Sequence, residues 1–214
     1  MCYRLVLFDF DGTLADSYSL FLSFMNRLAD EKQLRRFEPH EIEALRRKSA
    51  REIIKEAGVP MWKLPGIARQ MRRHVAQNIG HVTLFPGVEE VLRGLARRGV
   101  RLGIVTSNSA DNVRQVLGPE TAALIEHYGC GASIFGKRPK LRAVLRDSGV
   151  RAAEVVCVGD ELRDLEAAQA EGLAFWAVSW GYTHPEALRA QGPEEMLDSP
   201  GEILEKLGLA GQEG

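Results

Sequence analysis

Short, continuously apolar runs recur along this chain, and they constrain its fold more than any other feature of the sequence. Each run has the length of a buried strand, and helical patterns separate most of the runs. Strands that are apolar throughout are covered on both faces, which is typical of parallel sheets. The predicted strands are Leu5–Phe8, Arg101–Val105, a short strand near Ile134 in ASIFG, residues 155–158 and residues 174–179.

Amphipathic helices are predicted between these strands. In GVEEVLRGLARRG, the apolar residues Val88, Val91, Leu92 and Leu95 recur at a helical period, and Gly99 ends the segment. The segments KLRAVLRDSG and LRDLEAAQAEG follow the same pattern. Alternating strands and helices predict an α/β fold, in which a parallel sheet carries helices on both faces.

Residues 15–84 interrupt this alternation, because they contain helical patterns and no convincing strand. Helices are predicted there over residues 18–31, 39–57 and 62–79. We therefore predict a helical insert after the first strand and a core domain formed by residues 1–14 and 85–214. Basic runs such as LRRKSAREIIK and RQMRRHV lie in the insert. Solvated helix faces explain these runs, and contact with an anionic ligand is the alternative.

Composition limits the partners that the chain can have. The 214 residues carry a formal net charge of −1, which gives no bias toward nucleic acid or a membrane surface. No apolar stretch approaches the roughly 18–20 residues that span a bilayer. Cys2, Cys130 and Cys157 form no metal-binding motif, and without a signal peptide we expect a cytoplasmic location. Nothing in the sequence indicates an oligomeric state.

Polar residues follow four of the predicted strands, at the edge where open parallel sheets bind ligands. They are Asp9 and Asp11, then Thr106, Ser107 and Asn108, then Lys137 with Lys140 close behind, and finally Asp160, Glu161 and Asp164. Singly, most have an ordinary explanation as a helix cap, a turn residue or a surface lysine. Packing alone does not explain their convergence from distant positions, so we predict a functional site.

The pair Asp9 and Asp11 resists an ordinary explanation most strongly. Two like charges a few ångströms apart repel, and both stay ionised in a half-buried site only beside a cation. An oxygen-rich set without His or Cys suits a hard cation, and Mg²⁺ commonly joins carboxylates to a substrate phosphate. A carboxylate also serves as a nucleophile that carries a phosphoryl group, while a second carboxylate transfers protons. These residues therefore favour Mg²⁺-dependent phosphoryl transfer.

Four ordered motifs resemble those of the haloacid dehalogenase (HAD) superfamily. DFDGT, which begins at Asp9, resembles the DxDGT motif, and GIVTSN resembles a strand that ends in Thr or Ser, here Thr106. Lys137 matches the lone lysine, and VGDELRD resembles GDxxxD at Asp160 and Asp164. The insert and the segment SWGYTHPEALRAQGPEEMLDSPGEI are similar to those of phosphoglycolate phosphatase-like members. The resemblance implies a three-layer parallel-sheet, Rossmann-like HAD core with an all-helical cap, residues 15–84, inserted after the first strand.

The resemblance also implies a role for each carboxylate. Asp9 would be the nucleophile and a metal ligand. Asp11 would be the general acid and base, with its main-chain carbonyl on the metal. Asp160 would bind Mg²⁺ directly, and Asp164 would do so directly or through water. Superfamily members that release halide lack an aspartate at the position of Asp11, so this residue favours a phosphate ester.

The remaining site residues would bind the substrate phosphate. Thr106 would donate a hydrogen bond to the transferred phosphoryl group, and Lys137 would neutralise both that group and the nucleophile. Ser107 and Asn108 would supply further donors. Relatives usually have KPxP at the lysine, whereas this chain has GKRPK, so Lys140 remains an alternative to Lys137.

The predicted function is that of a phosphatase with Mg²⁺ as cofactor and a small phosphorylated metabolite, phosphoglycolate-like or a sugar phosphate, as substrate. A sugar phosphomutase on the same scaffold is an alternative. A non-catalytic binding module is disfavoured, because neither the nucleophile nor the acid is missing. Basic residues of the cap, Arg46, Arg47, Lys48 and Arg51, are candidates for substrate contact, and surface solvation explains them equally well.

Overall fold

The centre of the protein is a parallel sheet. The structure, a computed structural model, describes residues 3–132 and 136–208. Its strands are β1 (Leu5–Phe8), β2 (Ala15–Asp16), β3 (Thr83–Leu84), β4 (Arg101–Val105), β5 (Ile125–Gly129), β6 (Val155–Gly159), β7 (Ala174–Val178) and β8 (Glu195–Leu197). Six of them form one sheet in the order β5-β4-β1-β6-β7-β8, in which every pair is parallel. The sheet therefore has β1 near its middle.

Helices cover both faces of this sheet. They are α1 (Tyr18–Lys32), α2 (Ile42–Leu45), α3 (Ala50–Glu56), α4 (Leu64–Asn78), α5 (Val88–Arg97), α6 (Ala110–Ala122), α7 (Arg138–Ser148), α8 (Leu162–Gln169), α9 (Pro185–Arg189) and α10 (Glu202–Lys206). Buried residues of α5, α6 and α10 belong to one apolar core, and those of α7 and α8 belong to a second. Over the two described ranges, no helix is both long enough and apolar enough to cross a bilayer.

The apolar residues of β1 divide between these two cores. Val6 and Phe8 lie in the first core, and Leu5 and Leu7 lie in the second. Successive side chains of a strand point to opposite faces, so a strand with helices on both sides must be apolar throughout. This arrangement confirms the predicted three-layer α/β fold.

The predicted strands agree with the structure at the centre of the sheet and not at its edges. β1 and β4 match their predicted bounds, and β6 and β7 differ from theirs by one residue at one end. The edge strands β5 and β8 were not predicted. β5 contains Glu126 and His127, which face Arg101, so it lacks the apolar run of a strand covered on both faces. The strand predicted near Ile134 falls on residues 133–135, outside the described residues.

Two expectations for residues 15–84 are wrong in detail. The helix predicted over residues 39–57 is divided into a 3₁₀ turn, Pro39–Glu41, and the helices α2 and α3. Ser49 divides it, because Ser49 Oγ accepts from the backbone N–H of Glu52 while the Glu52 carboxylate accepts from the backbone N–H of Ser49. This capping box starts a new helix. The segment also contains strand, since β2 and β3 pair antiparallel where the chain enters and leaves it.

We expect substitution of Leu92 by alanine to destabilise the protein strongly. Leu92 is fully buried between α5 and the sheet, so Leu92→Ala should lower the free energy of unfolding by about 2–5 kcal/mol. Trp62 is 78% exposed, and Trp62→Ala should change stability by less than about 0.5 kcal/mol. Urea denaturation measures both changes, and equal losses in the two variants would contradict this assignment of the core.

Candidate functional site

Three neighbouring strands deliver polar residues to one edge of the sheet. Asp9 follows β1, Thr106 follows β4 and Asp160 follows β6. Because β1 pairs in parallel with both other strands, the three carboxyl ends meet at the same edge. All three side chains are buried, although each is polar.

A cluster of three buried carboxylates lies at this edge. Oxygen atoms of Asp9, Asp160 and Asp164 all lie within 4.8 Å of one another, close enough for one cation to contact all three. Asp164 lies in the first turn of α8, and its carboxylate packs closely against Gly159. A Cβ atom at position 159 would lie 2.8 Å from Asp164 Oδ2, so this close approach requires glycine there.

One buried lysine bridges two of these carboxylates. Lys137 Nζ lies 2.6 Å from Asp9 Oδ1 and 2.7 Å from Asp164 Oδ1. Burial alone would lower the pKa of Lys137, but the charges of Asp164 and Asp9 outweigh burial and raise it. The side chain therefore stays an ammonium group. Lys140, the alternative lysine, is exposed on α7, so the geometry favours Lys137.

The cluster has more negative charge than this lysine neutralises. Burial raises the pKa of Asp160 well above its ordinary value, and the charge of Asp9 raises it further. Burial also raises the pKa of Asp164 to about 7, although Lys137 opposes that rise. Asp9 Oδ2 and Asp164 Oδ2 are buried and accept no hydrogen bond from any described residue. Buried oxygens of this kind, in an all-carboxylate set, fit a hard divalent cation such as Mg²⁺.

Two backbone turns hold Asp160 in place. Thr13 Oγ1 donates a hydrogen bond to Asp160 Oδ1 at 2.7 Å, and the backbone N–H of Tyr182 donates to Asp160 Oδ2 at 2.7 Å. A Cβ atom at Gly181 would lie 2.1 Å from the Cβ atom of Asp160, so the second turn approaches the carboxylate as closely as a glycine permits. The position of Asp160 is therefore fixed from both sides.

Asp11 lies in different surroundings from Asp9. Its carboxylate accepts hydrogen bonds from Ser17 Oγ at 2.9 Å and from Asn108 Nδ2 at 3.2 and 3.3 Å. Burial raises the pKa of Asp11 to about 6, with the charge of Asp9 as the second cause. The proton is therefore held more tightly on Asp11 than on an ordinary aspartate. Asp9 is paired with an ammonium group, whereas Asp11 contacts neutral donors.

Three residues that support the carboxylates were not predicted as site residues. They are Thr13, which holds Asp160, and Ser17 and Tyr182, whose hydroxyl oxygens lie 2.8 Å apart. Tyr182 thus contacts Asp160 through its backbone and reaches Asp11 through Ser17. Thr13 belongs to the DFDGT motif and Ser17 follows that motif by four residues, so their closeness to Asp11 in the sequence was a usable signal. Tyr182 lies far away in the sequence, and no spacing pattern connects it to the site.

Three predicted site residues follow β4, and the structure brings two of them to the site. Thr106 Oγ1 is fully buried and accepts a hydrogen bond from the backbone N–H of Asn108 at 3.0 Å. Asn108 is buried too and donates to Asp11, as described above. Ser107 is half-buried in the same turn, and its hydroxyl makes no hydrogen bond with the described residues. Asn108 therefore faces Asp11, and Thr106 binds the backbone of the turn that carries Asn108.

Two arginines that follow α2 contact the C-terminal part of the chain. Arg46 donates hydrogen bonds to the carbonyl oxygens of Gly181 and Tyr182 at 2.7 and 3.0 Å. Arg47 forms an ion pair with Glu186 on α9. Arg46, a candidate for substrate contact, connects the helical segment to the turn that holds Asp160, and Arg47, another candidate, connects it to α9.

We expect Asp160→Asn to stabilise the metal-free protein near neutral pH. The pKa of Asp160 is raised above its ordinary 3.8, so the native state binds more protons than the unfolded state, and stability falls as pH rises above about 4. Asparagine at position 160 carries no charge, so it removes the cost of ionising a buried carboxyl group. Its side-chain amide still offers hydrogen-bond partners to Thr13 and Tyr182. Thermal denaturation in EDTA at pH 7 should show a gain of about 3 °C, and the gain should disappear at pH 4.

The same variant should lose its response to Mg²⁺. Added Mg²⁺ should raise the melting temperature of the wild type and of Asp147→Asn, a control at an exposed carboxylate, but not that of Asp160→Asn. An Asp160→Asn protein that is less stable than the wild type in EDTA at pH 7, or that responds fully to Mg²⁺, would contradict this description of the cluster.

Comparisons with known proteins identify the family of this chain. The family of haloacid dehalogenase-like hydrolases matches residues 6–178. The phosphoglycolate phosphatase of Synechococcus elongatus is 33% identical over 201 residues, which cover 94% of this chain and 95% of the relative. That of Xanthomonas campestris is 31% identical over 194 residues, which cover 84% of each chain.

Solved structures show the same fold at lower sequence identity. A haloacid dehalogenase-like family hydrolase from Streptococcus pneumoniae has a TM-score of 0.80 at 18% identity, covering 95% of this chain and 98% of that one. CbbY from Rhodobacter sphaeroides, in complex with phosphate, has a TM-score of 0.72 at 23% identity, covering 94% of this chain and 96% of that one. From its sequence and its fold, this chain belongs to the haloacid dehalogenase-like hydrolase family, and it is a phosphatase of that family.

Proposed function

We propose that this protein is a Mg²⁺-dependent phosphatase that hydrolyses a small phosphorylated metabolite through an aspartyl-phosphate on Asp9. The observation that carries the proposal is the environment of Asp9: Oδ1 is paired with Lys137, and Oδ2 is buried without a hydrogen-bond donor among the described residues. Lys137 thus neutralises one oxygen of Asp9, and the other oxygen stays free of hydrogen-bond donors. The phosphoglycolate phosphatases among its relatives support a phosphoglycolate-like substrate, and a sugar phosphate is the other candidate class.

The first half of the reaction transfers the phosphoryl group to the protein. A carboxylate oxygen of Asp9 attacks the phosphorus atom, the bond between phosphorus and the ester oxygen breaks, and Asp11 donates its proton to the leaving alkoxide. Lys137 and the hydroxyl of Thr106 stabilise negative charge on the transferred group. A bound Mg²⁺ would be held by Asp9, Asp160 and Asp164, with the carbonyl of Asp11 as a further predicted ligand, and it would neutralise phosphate charge.

The second half returns the protein to its starting state. Asp11, now a carboxylate, takes a proton from a water molecule, which attacks the phosphorus atom of the aspartyl-phosphate. The bond between phosphorus and Asp9 breaks, and inorganic phosphate is released with both aspartates restored. The pKa of about 6 suits Asp11 to this double role, because both protonation states are populated near neutral pH.

We further propose that residues 15–84 form a cap over the site. α1 and α4 pack on each other through Phe24 and His74, whose rings lie 5.5 Å apart. The β2–β3 ribbon forms both connections to the core. A cap excludes water while the ester is bound and opens for exchange of substrate and product. The cytoplasm is the location that we propose for this activity, since Cys130 and Cys157 are both free thiols.

The proposal is tested by a screen of phosphorylated metabolites with Mg²⁺, scored for released phosphate. The wild type should release phosphate from at least one ester, and Asp9→Asn should release none, because the amide is not a nucleophile. EDTA should abolish the wild-type activity. Formation of an isomeric phosphate ester without released phosphate would favour a phosphomutase, and equal release by the wild type and Asp9→Asn would refute the nucleophile.

We expect the effect of Asp11→Asn to depend on the leaving group. An alkoxide needs a proton when it leaves, so kcat for an alkyl phosphate should fall by about 10³-fold. p-Nitrophenolate leaves without one, so formation of the aspartyl-phosphate from p-nitrophenyl phosphate should slow by less than about 10-fold. Single-turnover release of p-nitrophenolate measures that step alone. Equal losses for the two esters would show that Asp11 does not act as the acid.

A further inference from the structure

A second polar region lies beside the catalytic carboxylates. A cavity of about 390 Å³ is lined on one side by α4, through Arg69, Arg72 and Arg73, and on the other by Asn108, Ser109 and Asn112. This volume lies within the range of about 300–1,000 Å³ that is typical of small-molecule sites. We call it the α4 cavity, and we call its three arginines the arginine face.

The α4 cavity shares a wall with the proposed catalytic site. Asn108 lines the cavity and donates from Nδ2 to both oxygens of Asp11. Its Oδ1 accepts from Asn112 Nδ2 at 2.8 Å and from the backbone N–H of Ser109 at 2.9 Å. Ser109 is the N-cap of α6, so the positive end of that helix also faces the cavity. A ligand whose phosphate reaches Asp9 can therefore extend past Asn108 toward α4.

The arginine face carries positive charge that no described residue neutralises. Arg69, Arg72 and Arg73 are exposed and spaced three and four positions apart on one side of α4, where like charges repel. None of the three forms a hydrogen bond or ion pair with a described residue, and no described acidic residue lines the cavity. Other arginines of the helical segment differ, since each of the following pairs with a carboxylate: Arg27, Arg35, Arg36, Arg46 and Arg47.

We propose that the arginine face binds a second anionic group of the substrate, so that the protein selects phosphate monoesters with another phosphate or a carboxylate at the far end. This inference rests on the proposed function and names the substrate class of that site. Planar guanidinium groups bind carboxylate and phosphate through paired N–H donors. One anion between several guanidinium groups also relieves their mutual repulsion. An ester with a neutral tail leaves that repulsion in place.

The test compares esters that differ in the charge of their far end. Phosphoglycolate carries a carboxylate, fructose 1,6-bisphosphate carries a second phosphate, and p-nitrophenyl phosphate carries neither. For the wild type, kcat/KM of at least one of the first two should exceed that of glycerol 3-phosphate, the neutral alkyl control. In the triple variant R69Q/R72Q/R73Q, the ratio of each preferred ester to glycerol 3-phosphate should fall about 100-fold, and single variants should lower it about fivefold.

Two control variants separate specific binding from net charge and folding. Arg97→Gln removes an exposed arginine of α5 that does not line the cavity, and it should leave the ratio within about twofold. The variant R69K/R72K/R73K keeps the charge and loses the paired donors, so it should retain part of the preference. An unchanged ratio in the triple glutamine variant, or an equal loss for charged and neutral esters, would overturn the proposal.

Binding to an inactive background makes the test independent of turnover. Calorimetry with Asp9→Asn should show that a charged-tail ester binds more tightly than glycerol 3-phosphate, and that the triple glutamine variant removes the difference. If the wild type releases no phosphate but charged-tail esters still bind more tightly, the proposed function is wrong and the binding role of the arginine face is supported. If phosphate is released and no difference is found in binding or in kcat/KM, the arginine face fails alone.

Discussion

The bridge from Lys137 to Asp9 and Asp164 is the interaction on which the rest of the site depends. Three carboxylates buried within 4.8 Å of one another would be very unfavourable in an apolar environment, and Lys137 offsets part of that cost. The remainder appears as raised pKa values of Asp160 and Asp164 and as buried oxygens without hydrogen bonds. A binding site for a divalent cation resolves this imbalance, which links the stability of the protein to its proposed chemistry.

The fold keeps this unfavourable cluster in place by surrounding it with rigid elements. β1 lies near the centre of the sheet, and its side chains belong to both cores. Asp9 directly follows this strand, so its backbone is held firmly in place. Tyr182 contacts Asp160 through its backbone, and Arg46 binds the carbonyl groups of that same turn. A residue of the helical segment therefore contacts the loop that positions a proposed metal ligand. A movement of the proposed cap would therefore act on the turn that holds Asp160.

The core of the sheet and most of the carboxylate cluster followed from the sequence, because each depends on a strong local pattern. Runs such as LVLF and VVCV identify strands covered on both faces, and polar residues after those strands must meet at one edge. Edge strands such as Ile125–Gly129 carry polar residues and lack that pattern. Tyr182 supports both Asp11 and Asp160 through contacts that only the folded chain creates. The orientation of Arg69, Arg72 and Arg73 toward Asn108 likewise depends on how α4 packs, which helical periodicity does not specify.

The central claim is that Asp9 carries the phosphoryl group during turnover. The most direct test is acid quenching of a reaction with radiolabelled phosphate ester and Mg²⁺ within the first turnover, followed by peptide mapping. We expect label on the peptide that contains Asp9, loss of that label on chase with unlabelled substrate, and no label in Asp9→Asn. Phosphate release by the wild type without labelled protein at any quench time, or label on another residue, would contradict it.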